Sequence, residues 1–329
     1  MKYILFIAFI LSVVSCAKHD GYTLTGHVPE AWEGKPVFLA LDDTNQPHFI
    51  DSTAVEATCD YSGKHPVFQI SGSGTQTEYQ NYLSEIQPME DDRSKTFYAY
   101  GEAYYSTKDL AKAIDLAKLV TEKRLAIREA KMKYLKAHPE SAISVKIAQE
   151  LSDRNSDLSL KEIEGLFTSL SPEMQNSEMG QALRATIQGR QVFIGGAFID
   201  MELMAPDGSK KKISDFVKPG CTTLIEFWAS WCSPCRAEIP HMRNTYSKYH
   251  PKGLNIVSIS IDSEPKNWHQ AMEEEKMPWG QLIDNTKAAF RAYNLTGVPS
   301  SILVDEKGKI INVNARGGWL DAAMQEIYD

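Results

Sequence analysis

The apolar positions of this chain change period along its length. Up to about residue 70 they fall in short runs, at residues 22–28, 37–41, 49–57 and 67–70. β-branched and aromatic residues fill these runs. Turn formers separate them at Glu33-Gly34, at residues 42–45 and at residues 60–63. The pattern predicts a small antiparallel sheet or sandwich. Residues 75–104 show no clear period and are rich in tyrosine, which we assign to packing.

Residues 102–164 then hold no glycine and a single proline, Pro139. Leu110, Ile114, Ala117, Leu125, Met132 and Leu135 recur at helical spacing, predicting a helix over 107–137. His138-Pro139 breaks it, because the residue before a proline disfavours the helical region. A second helix runs to about Leu151. Ser159-Leu-Lys-Glu162 is a capping box that opens a third. Ser171-Pro172 and Ser177 read as starts of short helices.

From about Gln191 strands and helices alternate. Residues 197–204 read as a strand, followed by a hairpin turn at Pro206-Asp207-Gly208-Ser209. Residues 224–228 and 254–261 are nearly all apolar, as buried parallel strands require. Helices are predicted at 266–276, 286–293 and 319–328. Strands are predicted at 298–305 and 309–314. The chain therefore divides into residues 17–100, β-rich; 101–190, helical; and 191–329, α/β.

Composition narrows the function. The 329 residues carry a net charge of −8, with no basic stripe, which argues against nucleic-acid partners. Lys2, an apolar run over 3–14 and Val13-Val14-Ser15-Cys16 look like a lipoprotein signal, cleaved before a lipidated Cys16. An ordinary secretory signal is the alternative. Either way the mature chain is expected to leave the cytosol for a compartment where disulfides persist; the favoured lipoprotein reading places it in the cell envelope, periplasmic and lipid-anchored at Cys16.

The chemistry concentrates at Trp231-Cys232-Ser233-Pro234-Cys235-Arg236, where the buried strand meets a helix start. A first thiol placed there meets unpaired backbone N–H groups and the helix dipole, which stabilise its thiolate. The second lies one turn on. Zinc sites also use CxxC, but a second ligand pair is missing, so no metal is expected. Cys59 and Cys221 are left over, as free thiols or as a bridge.

These residues, with Phe227-Trp228-Ala229 before them and Glu238 and Pro240 after, resemble the TlpA/ResA-type thiol–disulfide oxidoreductases of the thioredoxin superfamily. The resemblance spans about residues 190–329. Thr25-Gly26, residues 37–41, Ile50-Asp51-Ser52-Thr53 and residues 137–141 are also similar to the Bacteroidetes lipoproteins of this type. The implied architecture is an N-terminal antiparallel β domain, a helical middle segment that spaces the redox domain from the membrane, and a C-terminal α/β thioredoxin-like fold.

The resemblance assigns roles. Cys232 is the nucleophile and Cys235 the resolving thiol, and their disulfide is the only redox group, with no separate cofactor. Pro299 is cis and faces the pair, leaving the Val298 backbone to bind an extended substrate. Trp231 covers the disulfide and contacts substrate. A buried acid at the position of Glu226 moves protons for the second cysteine in thioredoxins, and burying an acid in an apolar strand is costly unless it is used. An acid there departs from many ResA-like proteins. Glu238 matches a ResA-type glutamate and is the other candidate base. Arg236 is a candidate support for the thiolate or, equally, a surface residue, and His241 is expected on the surface. The implied partners are protein disulfides and a membrane thiol electron donor, with reduction the favoured direction. Two rival readings are a peroxiredoxin-like peroxide reductase and a scaffold lipoprotein with an accessory redox domain.

Overall fold

In the computed structural model the described residues are the strands at 23–26, 36–41, 48–54 and 68–71, by their backbone, and residues 74–329, with side chains from residue 78. Cys16, Cys59 and the signal segment lie outside them. The chain forms two compact units, Met1–Leu83 and Ser84–Asp329.

In the first unit β1 (Thr23–Gly26) pairs antiparallel with β4 (Phe68–Ser71), and β2 (Pro36–Leu41) with β3 (His48–Ala54). These strands fall on the predicted runs. The β domain built from them in the sequence reading extends over residues outside those described. Helix α1 (Gly74–Gly101) begins in this unit and ends in the second. It occupies the tyrosine-rich stretch where no period was legible, and Pro88 lies inside it.

The second unit opens with the rest of α1 and a π-helical turn, Glu102–Ser106. Helices α2 (Leu110–Ala137), α3 (Ala142–Leu151), α4 (Leu160–Thr168), α5 (Pro172–Asn176) and α6 (Glu178–Gln188) follow. The caps expected at Ser159, Ser171 and Ser177 are present, and Ser141 adds one that was not expected. Ser141, Ser159, Ser171 and Ser177 each accept a backbone N–H, and Ser159 with Glu162 completes the capping box. Each such cap satisfies an otherwise orphaned donor and is worth about 1 kcal/mol. Helix α3 packs on α2, α4 and α6.

The rest is an α/β layer around one seven-stranded sheet, ordered β11-β10-β7-β8-β9-β5-β6. The strands are β5 (Glu202–Met204), β6 (Lys210–Lys212), β7 (Thr222–Trp228), β8 (Leu254–Ser260), β9 (Gly280–Ile283), β10 (Ser300–Val304) and β11 (Ile310–Val313). Strands β7, β8 and β9 run parallel, and β10 is antiparallel to β7. Central β7 is buried at every position, so both of its faces are covered. That is why its sequence reads as a continuous apolar run rather than an alternation. Strand β9 was not predicted, since its four residues offer too short a pattern. Helices α7 (Ser233–Tyr249), α8 (Pro265–Glu275), α9 (Ala288–Ala292) and α10 (Gly318–Tyr328) complete the domain. Helix α2 packs along α10, so the helical segment lies directly against the α/β layer.

Candidate active site

The site forms where β7 ends and α7 begins. Cys232 is the N-cap of α7, and its Sγ accepts the backbone N–H of Cys235 at 3.2 Å. This is the helix-start placement expected from the sequence. Pro234 stands in the first turn, where a missing N–H costs nothing. Cys232 and Cys235 are joined in a disulfide and are both buried, at 4% and 1% exposure. Trp231 beside them is 64% exposed, whereas Trp228 is fully in the core.

The turn before Cys232 is held by Asp262, just past the end of β8. Its carboxylate accepts from Ser230 N at 2.9 Å, Ser230 Oγ at 2.6 Å and Ser260 Oγ at 2.6 Å. Asp262 is itself buried, so these bonds are shielded from water. In the sequence Asp262 is only the polar residue that follows the nearly all-apolar run 254–261. Ser260 is its neighbour on β8, but Ser230 lies just past the end of β7, a pairing that only the fold supplies.

Glu226 lies in the middle of β7 at 4% exposure, opposite Ser258 of β8 and Ser301 of β10. Burial pushes its carboxyl up to about 8; the Ser258 hydroxyl pulls the other way, and the charge of Glu238 adds to the rise. Its Oε2 has no hydrogen-bond partner among the described residues. Glu238, one turn beyond Cys235, is also raised by burial, against the opposing pull of Arg316 and the Gly317 N–H. Glu238 Oε1 accepts from Gly317 N at 2.7 Å. Glu238 is therefore a mostly buried, hydrogen-bonded carboxyl and not a solvated helix carboxylate.

The Val298–Pro299 bond is cis, and both residues are half-buried. The Pro299 carbonyl accepts from Arg316 Nη1 at 2.9 Å. Asn314 N donates to Ser301 O at 2.6 Å, and Ser301 Oγ to Ala315 O at 2.8 Å. The loop 314–317 thus ties the proline segment to α7. Arg316 and Gly317 were not among the site residues expected from the sequence. The Gly317-Gly318 pair after the last strand was the available signal.

Two expectations change. Arg236 faces α8, donating to Glu275 Oε1 and Glu274 Oε2, each at 2.7 Å, so its charge is already engaged. His241 is not a surface residue. Its ring meets Tyr104 edge-on at 5.5 Å, and Nε2 lies 3.0 Å from Asp321 Oδ2, within ion-pair distance but without the alignment of a hydrogen bond. Burial disfavours its charged form, yet Asp321 and Glu238 outweigh that and raise its pKa. The cause is the π-helical turn, which brings Tyr104 over this part of α7. Among the described residues, no group of three or more His, Cys, Asp or Glu could hold a metal ion, and Cys221 is a free, half-buried thiol.

Residues 194–313 match the model of the AhpC/TSA family. The thiol-disulfide oxidoreductase ResA of Bacillus thuringiensis subsp. konkukian is 30% identical over 105 residues, covering 32% of this chain and 60% of that protein. ResA of Bacillus subtilis is 26% identical over 107 residues, covering 32% and 59%. The C-terminal domain is TlpA/ResA-like. This chain spans about three fifths of the length of these curated relatives, at 60% and 59%. Among solved structures, the TlpA/ResA-like domain is similar to the thioredoxin domain of a Bacteroides vulgatus thiol-disulfide oxidoreductase. That match has 30% identity and a TM-score of 0.39, covering 42% of this chain and 99% of that one. A thiol:disulfide interchange protein from Bacteroides sp. matches at 30% identity and a TM-score of 0.39, covering 42% and 92%.

Proposed function

We propose that this protein is a thiol–disulfide oxidoreductase working through Cys232 and Cys235. The observation that carries the reading is the position of Cys232 at the head of α7, with its sulfur on the Cys235 N–H. Once the pair is reduced, that N–H and the helix dipole favour the Cys232 thiolate. The thiolate attacks one sulfur of a substrate disulfide and expels the other as a thiolate. Cys235 then attacks Cys232 Sγ, releasing the second substrate sulfur. Two electrons pass to the substrate, and the Cys232–Cys235 disulfide closes. The Cys235 proton needs an acceptor. Glu226, an acid with a pKa about 8 inside the domain, suits that work, and Glu238 is the second candidate. Trp231, Val298 and Pro299 form the substrate-facing side by family likeness.

The favoured direction is reduction of protein disulfides in the cell envelope, from a lipid anchor at Cys16, with electrons from a membrane thiol donor. The ResA likeness and the signal-like sequence at residues 1–16 support this. The test is a Cys235→Ala variant, which should trap partner proteins as mixed disulfides on Cys232. A trap that captures nothing, in a variant whose Cys232 reacts with thiol reagents, would refute the reading.

The AhpC/TSA match gives peroxide reduction some standing. Against it, the peroxiredoxin pattern Pro-x-x-x-Thr-x-x-Cys is absent before Cys232, where Ile225 and Ala229 stand instead. Peroxide consumption by the reduced protein separates the two activities.

A further inference from the structure

The helical segment touches the proline segment directly on one side and the loop that backs it on the other. On one side, Arg154, in the loop after α3, hydrogen-bonds the Thr296 hydroxyl, two residues ahead of Val298. On the other, Tyr100 at the end of α1 accepts the Gly318 N–H at 3.2 Å through its hydroxyl. Gly318 adjoins Gly317, whose N–H holds Glu238, and Arg316, whose guanidinium holds the Pro299 carbonyl. Direct bonds and one short loop therefore connect α1 to Pro299.

The contact is built closely. Tyr100 is buried, with its ring centroid 4.3 Å from that of Trp319. Gly318 lies so near α2 that a Cβ there would stand 3.0 Å from the Ala113 carbonyl. At Gly317 a Cβ would stand 2.5 Å from the Tyr100 hydroxyl, and the backbone has φ +50°. Glycines are needed here because the helical segment approaches the loop at backbone distance. The π-helical turn adds Tyr104, which packs on Gly317 and His241. Such turns often mark functional places in helices.

We propose that the helical segment is a working part of the redox site, with Tyr100 and Arg154 as positioning residues that hold the 296–301 segment for extended polypeptide substrates. The inference rests on the thiol–disulfide reading above. A polypeptide disulfide must lay its backbone along Val298, so it needs that segment in place. A small disulfide without a backbone needs only the sulfurs. The helical segment then acts on which substrates are bound, not on the exchange step.

The test uses the full chain with dithiothreitol as reductant and two probes: insulin, a polypeptide disulfide, and cystamine, a small one. The variants are Tyr100→Phe, which removes only the hydroxyl, Arg154→Ala, and the double. Each single change should raise KM for insulin about fivefold, the scale of one lost hydrogen bond, at unchanged kcat. Cystamine turnover should stay within about twofold of the parent, since it bypasses the contact. An unchanged insulin KM in the double variant overturns the proposal, as does an equal loss on both substrates, which a merely structural role would give. If the parent protein turns over neither probe, the functional reading fails instead. Hydrogen exchange then decides the positioning claim: faster exchange at 296–301 in the variants sustains it, and unchanged exchange overturns it.

Discussion

Replacing Glu226 with Gln should make the protein less stable in acid and more stable in alkali. Its carboxyl titrates at about 8 in the folded chain, against 4.5 ordinarily. Below pH 4.5 both folded and unfolded states hold the proton, and the site imposes no ionisation cost. Between 4.5 and about 8 the unfolded chain has lost the proton and the folded chain keeps it, so wild-type stability falls as pH rises. Above that range the loss is complete. The span is 8 − 4.5 = 3.5 pH units, which at about 1.4 kcal/mol per unit amounts to ~5 kcal/mol.

Gln carries no charge and escapes this loss. It brings its own cost, because an amide NH2 at the place of the unpartnered Oε2 leaves a buried donor unsatisfied, worth about 1–3 kcal/mol at every pH. The variant should therefore be less stable by about 1–3 kcal/mol near pH 4 and more stable by about 2–4 kcal/mol near pH 8.5, with the curves crossing between. The assay is guanidinium unfolding of the oxidised protein, followed by tryptophan fluorescence across that range, with midpoints compared at equal slope. Parallel wild-type and variant stability curves would refute the argument, since they would mean that Glu226 ionises in the fold as it does in water.

Two further outcomes follow from the loops around the disulfide. Gly317→Ala should cost about 2–4 kcal/mol in thermal or chemical unfolding, because a left-handed backbone and a collision with Tyr100 add together. Asp262→Ala should lower stability by about 3 kcal/mol, since three donors lose a buried acceptor, and Asp262→Asn should recover only part, its amide keeping one acceptor oxygen. An Asp262→Ala protein as stable as the parent would show that the Ser230 turn holds itself.

Much of this protein was readable without coordinates. The change from short runs to helical spacing to apolar strands located most of the described elements, α1 and β9 excepted. The CxxC at a strand–helix junction named the two sulfurs that the fold joins in a disulfide at the head of α7, because a helix start supplies the same N–H groups in any fold. The caps at Ser159, Ser171 and Ser177 were equally legible, since each is settled within about one turn of chain. Such features depend on neighbours in sequence.

The tertiary structure decided what depends on neighbours in space. His241 looked like a lone surface histidine, and only the packing of Tyr104 and Asp321 made it buried. Arg236 looked available to a thiolate until α8 supplied two carboxylates. Glu226 was visibly an acid in an apolar strand, but how far its proton is held depends on both flanking strands. Arg316 and Gly317 carried no more local signal than a glycine pair, because their importance lies in reaching Pro299 and Glu238 from the loop after β11. The helical segment read as a spacer, and its contact with the redox site emerged only where α1 and α2 pack against α10. Local backbone preference is written in a few consecutive residues, whereas desolvation and charge pairing are properties of whichever surfaces the fold brings together.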